Sequence, residues 1–128
     1  MRNGRRGARG FTLLELLVVL AIIGTLLSLA APRYFRSMEK AREAVLRENL
    51  GAIRATLDRF YADNGVYPAS LDELVARRYL RQVPEDPLTG SATTWQVRSA
   101  AGAAQAVVAD VRSGAPGKDH DGVAYREW

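Results

Sequence analysis

The sequence predicts an α+β chain. One long N-terminal helix, membrane-spanning in its first half, packs through its second half on a small C-terminal antiparallel sheet. Three observations carry this. From Phe11 to Ala31 almost every side chain is apolar or small, and Glu15 is the single charged one. A run of about 20 such residues crosses a bilayer as a helix. Further on, Leu46, Leu50, Ile53, Leu57 and Phe60 recur at spacings of four, three, four and three, the stripe of an amphipathic helix that needs a partner layer. Finally, short segments rich in β-branched and aromatic residues, separated by Gly, Pro and Ser, fill the last third of the chain and read as strands.

Three segments follow: 1–10, 11–31 and 32–128. Residues 1–10 carry Arg2, Arg5, Arg6 and Arg9 and no acid. The net charge of the 128 residues is +4, and without those four arginines the chain holds 14 basic and 14 acidic residues. The basic balance therefore belongs to the leader. No basic patch with interleaved aromatics follows it, so no nucleic acid is expected as a partner. A conventional signal peptide also begins with a basic stretch and an apolar run, and Ser28-Leu29-Ala30 offers a small-x-small cleavage site. Against that stand the length of the run, Glu15 inside it, and the helical pattern that resumes after Pro32. Arg33, Arg36, Lys40 and Arg42 match the leader's charge, so charge bias does not orient the span.

Glu15 is the residue that needs explaining. A carboxylate in an apolar run weakens partition into lipid and marks a functional position whose partner must be named. Glu15 lies four residues after Phe11, so on a helix the two share a face. Cleavage between Gly10 and Phe11 would give Phe11 a free amine, mostly cationic at neutral pH. Glu15 neutralises it, within one chain or on the next chain of an assembly, which is a mechanism for leaving a bilayer for a polymer.

Gly10-Phe11-Thr12-Leu13-Leu14-Glu15, behind a basic leader and ahead of Leu16 to Gly24, resembles the class III signal of type IV pilins and type II secretion pseudopilins. The resemblance implies cleavage after Gly10 by an inner-membrane prepilin peptidase, N-methylation of Phe11, and a helical filament cored by these apolar helices. It also implies a cytoplasmic N-terminus and a periplasmic head, with minor pseudopilins and an inner-membrane assembly platform as partners beside the membrane lipid and other copies of the chain.

After Pro32, which should kink or loosen the helix, the pattern continues to about Tyr61. Arg42, Glu43, Arg47, Glu48, Arg54, Asp58 and Arg59 are placed on its polar face. Asp63-Asn64-Gly65 supplies the left-handed cap. Ser70-x-x-Glu73 is a capping box opening a short helix, with Leu71, Leu74, Val75 and Leu80 as its apolar face. The run Asp63-Asn64-Gly65-Val66-Tyr67-Pro68, then Leu71 to Val75, then Pro84-Glu85-Asp86-Pro87, resembles the major, G-type pseudopilin of type II secretion systems. It implies a subunit of a short periplasmic filament that drives folded proteins outward. Two alternatives remain: a type IV pilus pilin for adhesion, motility or DNA uptake, and a single-span anchored binding module that never polymerises. Candidate strands are Thr93–Arg98, Ala106–Arg112 and Val123–Trp128.

Little in the chain points to catalysis. There is one histidine, His120, and no cysteine, which excludes a thiol nucleophile and a Cys-based metal site. No nucleophile–base set, phosphate loop or zinc spacing is present, so no enzyme activity and no cofactor are expected. The resemblance implies a calcium ion between the last strands, where Asp119, Asp121 and carbonyls near Ser113 offer oxygens. The loop here is short and carries Lys118, so it is read as a polar turn tipped by Asp121-Gly122, and no metal is assigned.

Overall fold

The computed structural model describes Gly7 and residues 9–128. Most of the expected leader, including Arg2, Arg5 and Arg6, lies outside the described residues. The chain divides into two compact units, Met1–Met38 and Glu39–Trp128.

Helix α1 (Leu13–Asn64) is continuous across Pro32. Proline lacks an N–H, and its neighbours keep helical geometry all the same. The helix is long and apolar enough near its N-terminal end to cross a membrane. Leu13 to Leu29 present their side chains outward with nothing packed on them. Within the second unit, the stripe Leu46, Leu50, Ile53, Leu57 and Phe60 is buried as its spacing requires. The helix runs three residues past Tyr61, because its bonding pattern extends to the Gly65 N–H, which donates to the Tyr61 carbonyl at 2.7 Å. Gly65 then takes φ +72°, the left-handed conformation that glycine adopts without a Cβ clash.

Helix α2 (Leu71–Ala76) opens on Ser70, whose Oγ accepts from the Glu73 N–H at 3.3 Å. The return bond of the box is displaced by one residue: Glu73 accepts from the N–H of Ala69, at 2.6 Å, rather than from that of Ser70. The helix is capped at Arg77, and the next residue, Arg78, has φ +64°. A non-glycine residue in that region is held there by its surroundings; here the N–H groups of Tyr79 and Leu80 both reach back to the Leu74 carbonyl.

Strands β1 (Gln96–Arg98) and β2 (Asp110–Arg112) form an antiparallel pair with Val97 opposite Val111. Both are shorter than the sequence suggests. The third expected strand is absent among the described residues. Val123–Trp128 instead makes one bridge, Lys118 with Ala124, and a 3-10 turn at Tyr125–Glu127. Side chains hold this segment in place of a ladder. The Tyr125 hydroxyl donates to Glu43, the Trp128 indole donates to Asp119, and Arg54 donates to the Trp128 main-chain oxygen. The α+β class stands with two strands in place of three.

The core joins the α1 stripe to Leu74, Trp95, Val108 and Val111, with Leu71, Tyr79, Leu80, Val83, Leu88, Tyr125 and Trp128 around it. Two strands cannot stand alone, so α1 supplies the layer on which they are stable. Trp95 buries its ring and donates its indole N–H to the Pro84 carbonyl at 2.8 Å. Asp86 is fully buried, accepting from the Leu88 N–H at 2.9 Å and the Ser113 hydroxyl at 2.6 Å. That pair ties the Pro84–Pro87 turn to the chain leaving β2.

Candidate processing and assembly site

Gly10 and Phe11 precede α1 and have no regular secondary structure. A Cβ at Gly10 would meet nothing within 4 Å, and Phe11 is 92 % exposed. An exposed, unobstructed peptide bond is what a protease needs. In this uncleaved chain the Phe11 nitrogen is an amide, and Phe11 lies outside the helix, so the shared helical face with Glu15 is not formed.

Glu15 has another partner here. Its Oε2 accepts from the Thr12 N–H at 3.1 Å, while the Thr12 Oγ1 accepts from the Glu15 N–H at 3.2 Å. The two make a reciprocal capping box at the start of α1. It satisfies two N–H donors that lipid would not, and it places a carboxylate at the positive end of the helix dipole. Thr12-x-x-Glu15 carries the same signature as Ser70-x-x-Glu73, so this contact was readable in the sequence.

In the second unit, the sequence places Glu43 on the polar face of α1, but the structure buries it. Its position, three residues before Leu46, puts it on the apolar stripe. Its Oε1 accepts from the Tyr125 hydroxyl at 2.9 Å, and its Oε2 lies 3.1 Å from His120 Nδ1. His120 Nε2 lies 3.3 Å from Asp121 Oδ2. Glu43, His120 and Tyr125, with Glu39, Arg42, Lys118 and Asp119, surround a polar cleft of about 280 Å³. Desolvation and the Glu43 carboxylate push the Tyr125 hydroxyl up to about 12.

The loop before Tyr125 does not fit calcium. Asp119 Oδ1 accepts from the N–H groups of Asp121 and Val123, at 2.8 and 2.9 Å, and its Oδ2 accepts from the Trp128 indole at 3.1 Å. Desolvation opposes charge on Asp119, but those three donors and nearby His120 outweigh it and hold the carboxyl below the ordinary aspartate value. Among the described residues, no group of three or more His, Cys, Asp or Glu side chains is arranged to hold a metal.

The family described as "Prokaryotic N-terminal methylation motif" matches residues 5–31. The type II secretion system core protein G of Klebsiella michiganensis is 31 % identical over 134 residues, covering 91 % of this chain and 92 % of that protein. Those of Klebsiella pneumoniae and Pseudomonas aeruginosa are 38 % and 33 % identical over 62 % and 65 % of this chain, and 68 % and 70 % of their own lengths. No solved structure matches. With a relative above 30 % identity aligned along nearly its whole length, the chain belongs to the type II secretion system core protein G family.

Proposed function

We propose that the chain is a structural pseudopilin subunit that polymerises into a filament serving protein export by a type II secretion system. The near end-to-end match to a core protein G carries this reading, and favours it over a type IV pilus pilin or a non-polymerising anchor. Residues 1–10 are the leader, cut between Gly10 and Phe11 by a prepilin peptidase, and Phe11 is then N-methylated. Residues 11–31 anchor the subunit in the inner membrane and later line the filament core. The head, 32–128, lies in the periplasm, where copies of the chain, minor pseudopilins and the assembly platform meet it. The motif match over residues 5–31 supports the processing step.

Glu15 acts twice in this reading: it caps α1 before cleavage, and afterwards it meets the Phe11 amine of a docking neighbour. An uncompensated charge in lipid is costly, so the pairing favours the filament over dispersed subunits. Two substitutions separate the roles. Glutamine serves in a capping box as glutamate does, so Glu15→Gln keeps the cap and loses only the charge, whereas Glu15→Val loses both. Complementation of a pseudopilin-deleted strain, with membrane fractionation, terminal-peptide mass analysis and sheared-filament yield in parallel, is the test. Insertion and a methylated Phe11 terminus are expected in both variants, with filament yield and secretion sharply reduced in both. Normal yield from Glu15→Gln would reduce Glu15 to a helix cap. A mature terminus at Ala31, or a retained leader in the unaltered chain, would reject the family's processing here.

A further inference from the structure

The geometry points to Asn64 as a spontaneous modification site that the folded head keeps closed: an asparagine–glycine pair poised for succinimide formation and restrained by the end of α1. The chemistry follows from the two residues. Glycine has no Cβ to shield its nitrogen, and both Asn64 and Gly65 are exposed to water. The Gly65 nitrogen, on losing its proton to solvent base, attacks Asn64 Cγ. The new N–Cγ bond forms as the Cγ–Nδ2 bond breaks, and Nδ2 leaves as ammonia with a proton from water. Water then opens the ring. Attack at Cγ gives aspartate, and attack at the main-chain carbonyl gives isoaspartate. No oxidant or cofactor is needed.

The structure restrains both reacting groups. The Gly65 N–H is held by the Tyr61 carbonyl at 2.7 Å. Asn64 Nδ2 donates to the Phe60 carbonyl at 2.9 Å and to the Tyr79 hydroxyl at 3.2 Å, and that hydroxyl donates to Asp63 at 2.8 Å. The side-chain amide is thus turned back along α1. Arg77 Nη1 donates to Asn64 Oδ1 at 3.3 Å. That oxygen gains charge during the attack, so Arg77 would assist ring closure once the nitrogen is free. Tyr79 is therefore the clean restraint to remove.

The product changes the cap. Aspartate at 64 sets a second carboxylate beside Asp63 at the negative end of the helix, which is unfavourable. Isoaspartate lengthens the main chain and removes the register on which the Gly65 turn depends. The modification therefore accumulates in chains whose last α1 turn has opened, and hinders its closing again.

The test incubates the full-length chain in detergent micelles at near-neutral pH. Isoaspartate is read by enzymatic methylation, and the exchange of amide for acid by peptide mass. Folded protein, the same protein in urea, and Tyr79→Phe in both states are compared. Tyr79→Phe keeps the ring, whose centroid is 5.1 Å from that of Phe60. The folded chain is expected to react at least roughly tenfold more slowly than the unfolded one, as amides behind a local opening do. Folded Tyr79→Phe should react about fivefold faster than folded wild type, the factor corresponding to one hydrogen bond of about 1 kcal/mol. In urea the two should react alike. Equal rates in folded and unfolded wild type, no reaction at Asn64 in urea, or no acceleration by Tyr79→Phe would each overturn the proposal.

Discussion

Replacing Arg54 by methionine tests how the end of the chain is held. Arg54 Nε lies 3.0 Å from Asp110 Oδ1, and Nη2 donates to the main-chain oxygens of Val111 at 2.9 Å and Trp128 at 2.8 Å. One side chain on α1 therefore joins β2 and the segment beyond it. Methionine keeps most of the aliphatic stem and removes every donor. The two side chains of the ion pair are 39 % and 42 % exposed, so solvent screening limits that pair to under about 1 kcal/mol. Each main-chain bond from a charged donor is worth about 1–2 kcal/mol at this exposure. The expected loss is about 2–5 kcal/mol. For a unit of this size that lowers the melting temperature by roughly 10–40 °C. Thermal and urea unfolding of the full chain in micelles, followed by tryptophan fluorescence, measure it. A loss below about 0.5 kcal/mol, the level of an ordinary surface change, would show that Tyr125 and Trp128 hold the segment without Arg54.

Leu57→Ala, which hollows a fully buried site, should cost about 2–5 kcal/mol in urea unfolding with the urea dependence unchanged. Tyr125 contributes stability that is complete below pH 10 and lost as pH rises through about 12, because its folded value is raised; Tyr125→Phe should flatten the alkaline limb of a pH–stability profile. Asp119 works in the opposite sense. Its lowered value means a contribution present above the ordinary aspartate range and lost as acid takes the pH down through the folded value, so Asp119→Asn should lessen the acid sensitivity of the melting temperature. Millimolar calcium should leave that temperature unchanged; an EGTA-reversible rise of several degrees, as from a ligand well above its dissociation constant, would show that the loop rearranges to bind it.

The α1 stripe was legible because leucine, isoleucine and phenylalanine at helical spacing have few other uses, and Ser70 with Glu73 was legible because capping is local. Glu43 was not. It sits at a stripe position, but a carboxylate there reads as solvated until His120 and Tyr125, far along the chain, return to cover it. Val123–Trp128 has the composition of a strand, yet its aromatic side chains find partners on α1 and on Asp119, and these contacts outweigh a third ladder. Thr12 differs: its cap with Glu15 needs only two local residues, yet within an apolar run the charge on Glu15 is the more conspicuous property of the pair. Arg54 likewise reads as one more polar-face charge, because nothing local reveals three acceptors that arrive from more than fifty residues away.

The chain has two tryptophans, Trp95 and Trp128, and both belong to the second unit. Its tryptophan emission therefore originates in the second unit alone. The two indoles also differ in what they sense. Trp95 is sealed in the core, with its N–H on the Pro84 carbonyl. Trp128 lies under the Arg47 guanidinium, 4.7 Å from its ring centroid, and edge-on to Tyr125. A soluble quencher should reach Trp128 first. As subunits leave lipid and stack, any change in colour or quenching reports contacts made by the head alone, and the Trp128→Phe chain would narrow that report to the interior around Trp95.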